Sequence, residues 1–333
     1  MIAGGGSRLP SAPRARSFRA PLRILIAIGL TAYVVLQADP REVLNAVASA
    51  SWPWLASALL LVLFDRALMA YRWMVLLCAL SPGTRPPFGA VLRIFFVSTF
   101  VGSFLPSLAG DVYRAYSLSQ LQVSGVESAA SVIMDRALGV VSMVIVALVS
   151  LAFGFELSAV PGVLLTVTLA AVGCAAAAAA LYSEGIATRV QNAAMRMGPR
   201  IGTPAGRLVV AVRRYTRHHA ELTAVLLTSI AVQVIRVLQA YCLGMAIASA
   251  APLWAYFVFV PLIVLVMQVP ISISGLGTSQ LMFDLLFGRI GVPSPNAVAL
   301  SILFVGLGVV GNLPGALLYL AGDIKPAAPT RVG

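Results

Sequence analysis

Residues Phe88 to Gln120 read FGAVLRIFFVSTFVGSFLPSLAGDVYRAYSLSQ, and how this stretch meets a bilayer decides the topology of the whole chain. Its first half is apolar enough to enter a membrane. Pro106, the glycines at 102 and 110, and the charges of Arg93, Asp111 and Arg114 interrupt it. If Phe88 to Pro106 crossed completely, the most basic loop of the chain would fall outside, against the rule that arginine-rich short loops stay cytoplasmic. If the stretch dips in and returns, that loop falls inside. The spacing therefore predicts a re-entrant hairpin around Gly102-Ser103-Phe104-Leu105-Pro106-Ser107. Because broken backbone at membrane depth survives only against protein or a wet cavity, a polar cavity is expected beside it.

The rest of the sequence agrees with a membrane setting. Hydrophobic residues make up 60% of the 333 and charged residues 10%, with a mean hydropathy of +0.95. A soluble domain carries roughly 25% charged residues. Apolar segments run from Leu22 to Ala38, Trp52 to Leu80, Glu127 to Gly154, Pro161 to Tyr182, Leu222 to Ala248, Leu253 to Val269 and Asn296 to Ala321. Each is long enough to span as a helix at about 20 residues per crossing. The expected fold is an all-α polytopic membrane protein of about seven or eight transmembrane helices with one or two re-entrant or broken helices. The segment from Pro270 to Ile290 is the second broken one.

The organisation expected is a basic cytoplasmic tail over residues 1–21, a single transmembrane domain over 22–321 and a C-terminal tail over 322–333. The first span follows five arginines and lacks a small-residue cleavage site at Gln37-Ala38-Asp39-Pro40, so it is read as uncleaved. The cytoplasmic basic loop, about 184–220, carries Arg189, Arg196, Arg200, Arg207, Arg213, Arg214 and Arg217. Arg200, Arg207 and Arg214 share a face if Ala205 to His219 is helical, which would make an interfacial basic helix. Plain topology signalling is the simpler account of the same residues.

The net charge of +12 sits in flanking loops and inside apolar segments with no aromatic–basic platform, so nucleic acid is not expected. Cys78, Cys174 and Cys242 are far apart and embedded in apolar sequence, and the adjacent His218 and His219 cannot share a helical face. No metal site or cofactor is expected from them.

Charges within apolar segments carry the chemistry: Asp65, Arg66, Arg72, Arg93, Asp111, Arg114, Asp135, Arg136, Arg236 and Asp284. Each costs roughly 2.5–3.5 kcal/mol at a helix centre on insertion scales, so they must pair or face water. Asp65 and Arg66 project about 100° apart on a helix and are expected to find partners on other helices. Interhelical Asp–Arg pairing alone is one account. The excess of arginine favours a cavity that receives an anionic group. Pro106 to Asp111 and Pro270 to Gly277 both place proline, small residues and glycine before a helix, the pattern that points to a transporter's binding site.

Tyr71-Arg72-Trp73 before Leu76-Leu77, Leu105-Pro106-Ser107 followed by Gly110-Asp111 and Arg114, Ala130 to Arg136, and Pro270 to Gln280 followed by Gly291-Val292 together resemble the flippase-like membrane region of bacterial lysylphosphatidylglycerol synthases. The likeness covers roughly Trp52 to Leu320. It implies a module of the bacterial inner membrane, N-terminus cytoplasmic, that moves an anionic, aminoacylated or polyprenyl-linked lipid between leaflets. Aminoacyl transfer is not implied, since no stretch here is long and polar enough for the separate soluble domain that performs it. Gln280 stands where the family often has Glu.

The expected substrate-binding residues are Arg72, Pro106, Gly110, Asp111, Arg114, Asp135, Arg136, Arg236, Gly275, Gly277 and Gln280. The expected partners are membrane lipids with anionic headgroups, and either a second copy or proteins of an envelope-lipid pathway. An intramembrane enzyme using Asp65, Asp111 and Asp135 as acid and base groups, or a non-transporting subunit of such a pathway, is the alternative reading.

Overall fold

The computed structural model describes residues 40–81, 83, 86–104, 107–119, 123–153, 162–196, 199–268 and 277–320. The apolar segment Leu22 to Ala38 lies outside these. All regular structure among the described residues is helical. In chain order the helices are α1 (Pro40–Ala48), α2 (Trp52–Leu80), α3 (Phe88–Phe104), α4 (Ser107–Ser119), α5 (Gly125–Phe153), α6 (Val163–Tyr182), α7 (Glu184–Arg196) and α8 (Pro199–Arg214). There follow a 3-10 turn at Tyr215–Arg217, then α9 (His219–Ala246), α10 (Leu253–Met267), α11 (Thr278–Gly288), α12 (Ser294–Val310) and α13 (Leu313–Leu320). Among the described residues, five stretches are long and apolar enough to cross a membrane: α2, α5, α6, α9 and Ser294–Leu320.

Helices α2 and α9 form the central antiparallel pair. The Ser51 N–H donates to the Ala246 carbonyl at one end, Asp65 faces Arg236 midway, and Arg72 donates to Ser229 nearer the other. Pro53 in the first turn of α2 fits there because its missing N–H would have no intrahelical partner anyway. Helix α5 lies antiparallel to α2, joined by Trp73 to Ser131 and Ser81 to Glu127. The two ends of this bundle differ in chemistry. Trp52, Trp54 and Trp254 are exposed at one end, as in an interfacial aromatic belt. The basic pair α7–α8 closes the other.

Helices α3 and α4 form an antiparallel hairpin. Ser98 and Gly102 oppose Gly110, where an added Cβ would come within 2.5 Å of the Ser98 carbonyl oxygen. Leu118 and Val123 pack with Trp73, Leu77 and Val91, so both open ends of the hairpin lie at the basic end of the bundle. Its inner end reaches the middle of α2, because Ser103 bonds Asn312 and Asn312 bonds Arg66. The turn itself, with Pro106, is outside the described residues.

Helices α10 and α11 make a second half-length pair from the opposite end. Tyr256 at the start of α10 meets Tyr241, whose ring meets Trp54, while Val264, Met267 and Gln268 at its other end reach the centre. Phe287 at the far end of α11 packs on Tyr256 and Phe259. This corrects the expectation that Leu253 to Val269 spans. Helix α10 has 15 residues, about 22 Å, short of a core about 30 Å thick, and it is buried over most of its surface. Gly275 lies outside the described residues. Gly277 caps α11 at a φ of 83°, a left-handed conformation that glycine adopts at no steric cost.

The expected span Asn296 to Ala321 is present as Ser294–Leu320, long and apolar enough to cross, with one interruption. The interruption falls at Gly311-Asn312, where an added Cβ at 311 would come within 2.9 Å of Val62. Helix α13 then continues antiparallel to α3 toward the basic end, so close that a Cβ at Gly315 would collide with the Phe96 carbonyl, and Arg93 donates to the Leu318 carbonyl. The basic loop differs from expectation as well: the helix is Pro199–Arg214 rather than Ala205 to His219. Arg214 is tied down by Glu127 at 2.7 Å and by the Leu80 carbonyl.

Helix α6 shows the membrane pattern inverted relative to a soluble helix. Leu164, Leu165, Leu169 and Val172 face outward, an arrangement that water would penalise and lipid tails would not.

Candidate functional site

A cavity of about 400 Å³ opens where the two half-length pairs meet the central helices. Its charged lining consists of Arg66, Arg114, Arg136 and Arg236 against Asp65 and Asp111. Ser98, Thr99, Ser103, Gln239, Gln268 and Asn312 supply its neutral polar groups. Asp65 lies thirteen residues into α2 from Trp52, about 20 Å along the axis, so the cavity sits near mid-length of the longest helices.

Beneath the cavity is a closed ionic triad. Asp135 accepts from Arg72 Nε at 2.7 Å and from Arg114 Nη1 at 3.3 Å, and all three side chains are at most 5% exposed. Arg72 also donates to Ser229 Oγ at 2.9 Å. Arg114 donates through Nε to Ser98 Oγ at 3.0 Å, which the close α3–α4 approach at Gly110 permits. Its guanidinium also lies 4.2 Å from the Phe95 ring centroid and 5.0 Å from that of Trp73. Two guanidiniums on one carboxylate leave an excess positive charge, which ring faces offset in part through their quadrupoles.

At the rim, Arg136 meets Asp111 through both its Nε and Nη2, at 3.0 and 3.1 Å. The Arg136 side chain is 55% exposed, so its pairing exchanges with solvent at little cost. Across the cavity, Asp65 accepts from Arg66 Nη1 at 3.0 Å and faces Arg236 Nε at 3.7 Å. Asp65 and Arg66 each meet a partner from elsewhere in the chain, Arg236 and Asn312, as expected, and they also contact each other, which was not expected. An arginine stem is long enough to bend back across the 100° between adjacent positions.

Of the expected residues, Gly110, Asp111, Arg114, Arg136 and Arg236 line the cavity, while Arg72 and Asp135 lie directly behind Arg114. Pro106 and Gly275 fall outside the described residues. Gly277 and Gln280 are elsewhere: Gln280 is buried and its amide oxygen accepts from the Gly277 N–H, so it caps α11 rather than lining the space. Asn312 is one of several polar lining residues that sequence reading missed, with Ser98, Thr99, Gln239 and Gln268. Its amide accepts from Arg66 Nε at 2.9 Å and donates to Ser103 Oγ at 2.8 Å. The signal available was Gly311-Asn312 directly before Leu313-Pro314, a turn-forming run inside an apolar segment.

Long apolar helices enclosing a charged central cavity define a multi-pass membrane protein. The chain matches the family model of the lysylphosphatidylglycerol synthase TM region over residues 22–315. It belongs to that family. No curated protein and no solved structure matches the chain.

Proposed function

We propose that this protein moves an anionic lipid between leaflets, with its phosphate headgroup held in the central cavity. The observation that carries the reading is the lining itself: four arginines against two aspartates at mid-length of the long helices, one of the arginines exposed. Arginine binds phosphate oxygens through two parallel N–H groups, and a cavity with surplus guanidinium charge attracts that group into a medium that otherwise repels it. Arg136 receives the headgroup at the rim, exchanging Asp111 for phosphate. Arg236 and Arg66 follow deeper in. Arg114 is held by Asp135 and sets the far wall.

On this reading the α7–α8 pair is cytoplasmic, and the α3–α4 pair enters and leaves on that side. Helices α10–α11 enter from the other side. The cavity between their inner ends is then reachable from either leaflet by modest movement of one pair, which is the logic of alternating access around a fixed central site.

Proteoliposomes with a fluorescent anionic phospholipid, and a quencher confined to one face, test the proposal. The wild-type protein is expected to equilibrate the lipid between leaflets. The combined change Arg136→Gln and Arg236→Gln is expected to slow this about tenfold, the loss of roughly one charge-assisted hydrogen bond. Equilibration no faster than in protein-free vesicles would remove the transport reading.

A further inference from the structure

Asp284 is a charge within an apolar segment that takes no part in the central cavity. It lies six residues beyond Thr278 on α11, about 9 Å along the axis from the centre toward the aromatic end. Its side chain is partly buried, and among the described residues no ion pair or hydrogen bond reaches its carboxylate. An ionised group at such a depth must pair or meet water. Beside it Leu281 and Leu285 are 39% and 38% exposed. Gly288 and Arg289, at the end of the helix, are exposed as well. These five residues follow a heptad: Leu281, Leu285 and Gly288 fall on d, a and d, Asp284 on g and Arg289 on the next e.

We propose that this face of α11 docks a second copy of the chain, with Asp284 of each copy paired to Arg289 of the other across Leu281, Leu285 and Gly288. In parallel helix pairs a g residue meets the e residue that follows it in the partner, and opposite charges there form interhelical salt bridges. Two copies inserted the same way into one membrane are parallel by necessity. The face therefore carries both signs at the offset that its own copy requires. A partner helix bearing only cations would satisfy Asp284 and repel Arg289. Leucines alone would give little drive in lipid, whose tails are just as apolar, whereas a small residue on the stripe lets the backbones approach and the polar pairs hold them. The inference is independent of the transport reading, since none of these residues lines the cavity.

The test uses the full chain in membranes, with Cys78, Cys174 and Cys242 replaced by alanine. Leu285→Cys is expected to form a disulfide between copies on mild oxidation. Val172→Cys, on the outward face of α6, is expected to form little. Energy transfer between labelled copies in proteoliposomes, at falling protein-to-lipid ratio, then reads the charges. Asp284→Arg and Arg289→Asp each bring like charges together at both symmetric contacts. Each is expected to weaken dimerisation about tenfold or more, the worth of a hydrogen bond to a charged group. The combined reversal restores opposite signs and is expected to recover most of the loss, which a general defect in folding would not do.

Cross-linking at Leu285 no greater than at Val172 overturns the proposal, whether lipid or another protein covers the face. Dimers that neither single reversal weakens also overturn it, because the copies then meet elsewhere. A combined reversal as weak as the single ones overturns the Asp284–Arg289 pairing. The cross-linking comparison is decisive even if the charge-reversed chains do not fold.

Discussion

Two half-length helix pairs enter this molecule from opposite ends, and they share almost nothing but their geometry. The α3–α4 pair carries Ser98, Gly110, Asp111 and Arg114 to the cavity. The α10–α11 pair brings Phe259, Phe283 and Phe287, stacked in the main apolar cluster, and little more than Gln268 to the polar space. Each interrupted segment has free backbone groups that must be satisfied inside the protein. One pair sits against ionised side chains and the other is packed into an aromatic core. The site's chemistry is therefore one-sided even though its architecture is two-sided.

The largest expected effect tests whether the polar pair depends on its ionic backing. Asp135→Ala leaves Arg72 and Arg114 buried without their shared carboxylate, which costs about 3–5 kcal/mol by analogy with other broken buried pairs. Thermal unfolding in detergent should show a sharp loss of stability and of folded yield. A variant with wild-type melting would mean that Arg114 does not need Asp135.

Phe287→Ala tests the aromatic pair. Phe287 is fully buried between Tyr256, Phe259 and Phe283, and truncation is expected to cost about 3 kcal/mol. Lipid selectivity measured on the protein that remains folded should be unchanged. Altered selectivity would show that this pair shapes the site as well as the core. Gly110→Val is the complementary change. It should cost about 1–3 kcal/mol through overpacking against the Ser98 backbone, and it should also weaken lipid binding by moving Arg114 away from Ser98, as read by native mass spectrometry.

The smallest effect lies outside both pairs. Burial first, and then the negative charges of Asp135 and Glu127, push the Tyr215 phenol above its usual value. The folded state keeps a proton that the unfolded chain releases above about pH 10, so stability should fall as pH rises past that point. Tyr215→Phe loses the hydrogen bond to the Leu76 carbonyl, about 1 kcal/mol at neutral pH. It should also flatten the alkaline decline. A decline of unchanged slope would assign it to other groups.

Much of this arrangement was legible in the residues. The interruption after Phe104 was readable because proline, glycine and charge inside an apolar run have few tolerable placements. The same reasoning made Arg114, Asp135 and Arg136 stand out. What stayed hidden depended on distance in the chain. Asn312 is an ordinary turn residue until Ser103 and Arg66, 209 and 246 positions away, are brought beside it. The shortness of α10 was equally hidden, since an apolar run shows the same hydropathy whether it faces lipid or lies inside a core. Gln280 misled in the other direction: its position suggested a site, and its side chain is occupied with holding the start of α11.

The helix interruption at Asn312 ties three separate parts of the chain to one amide: the start of α13, the inner tip of α3 and the arginine next to Asp65. Both ends of that amide are engaged, so none of the three can shift far without releasing another. A tug on α13, such as a thinner bilayer would exert, is thereby felt at the central cavity, and under the proposed transport function membrane thickness becomes a variable to which lipid passage should respond.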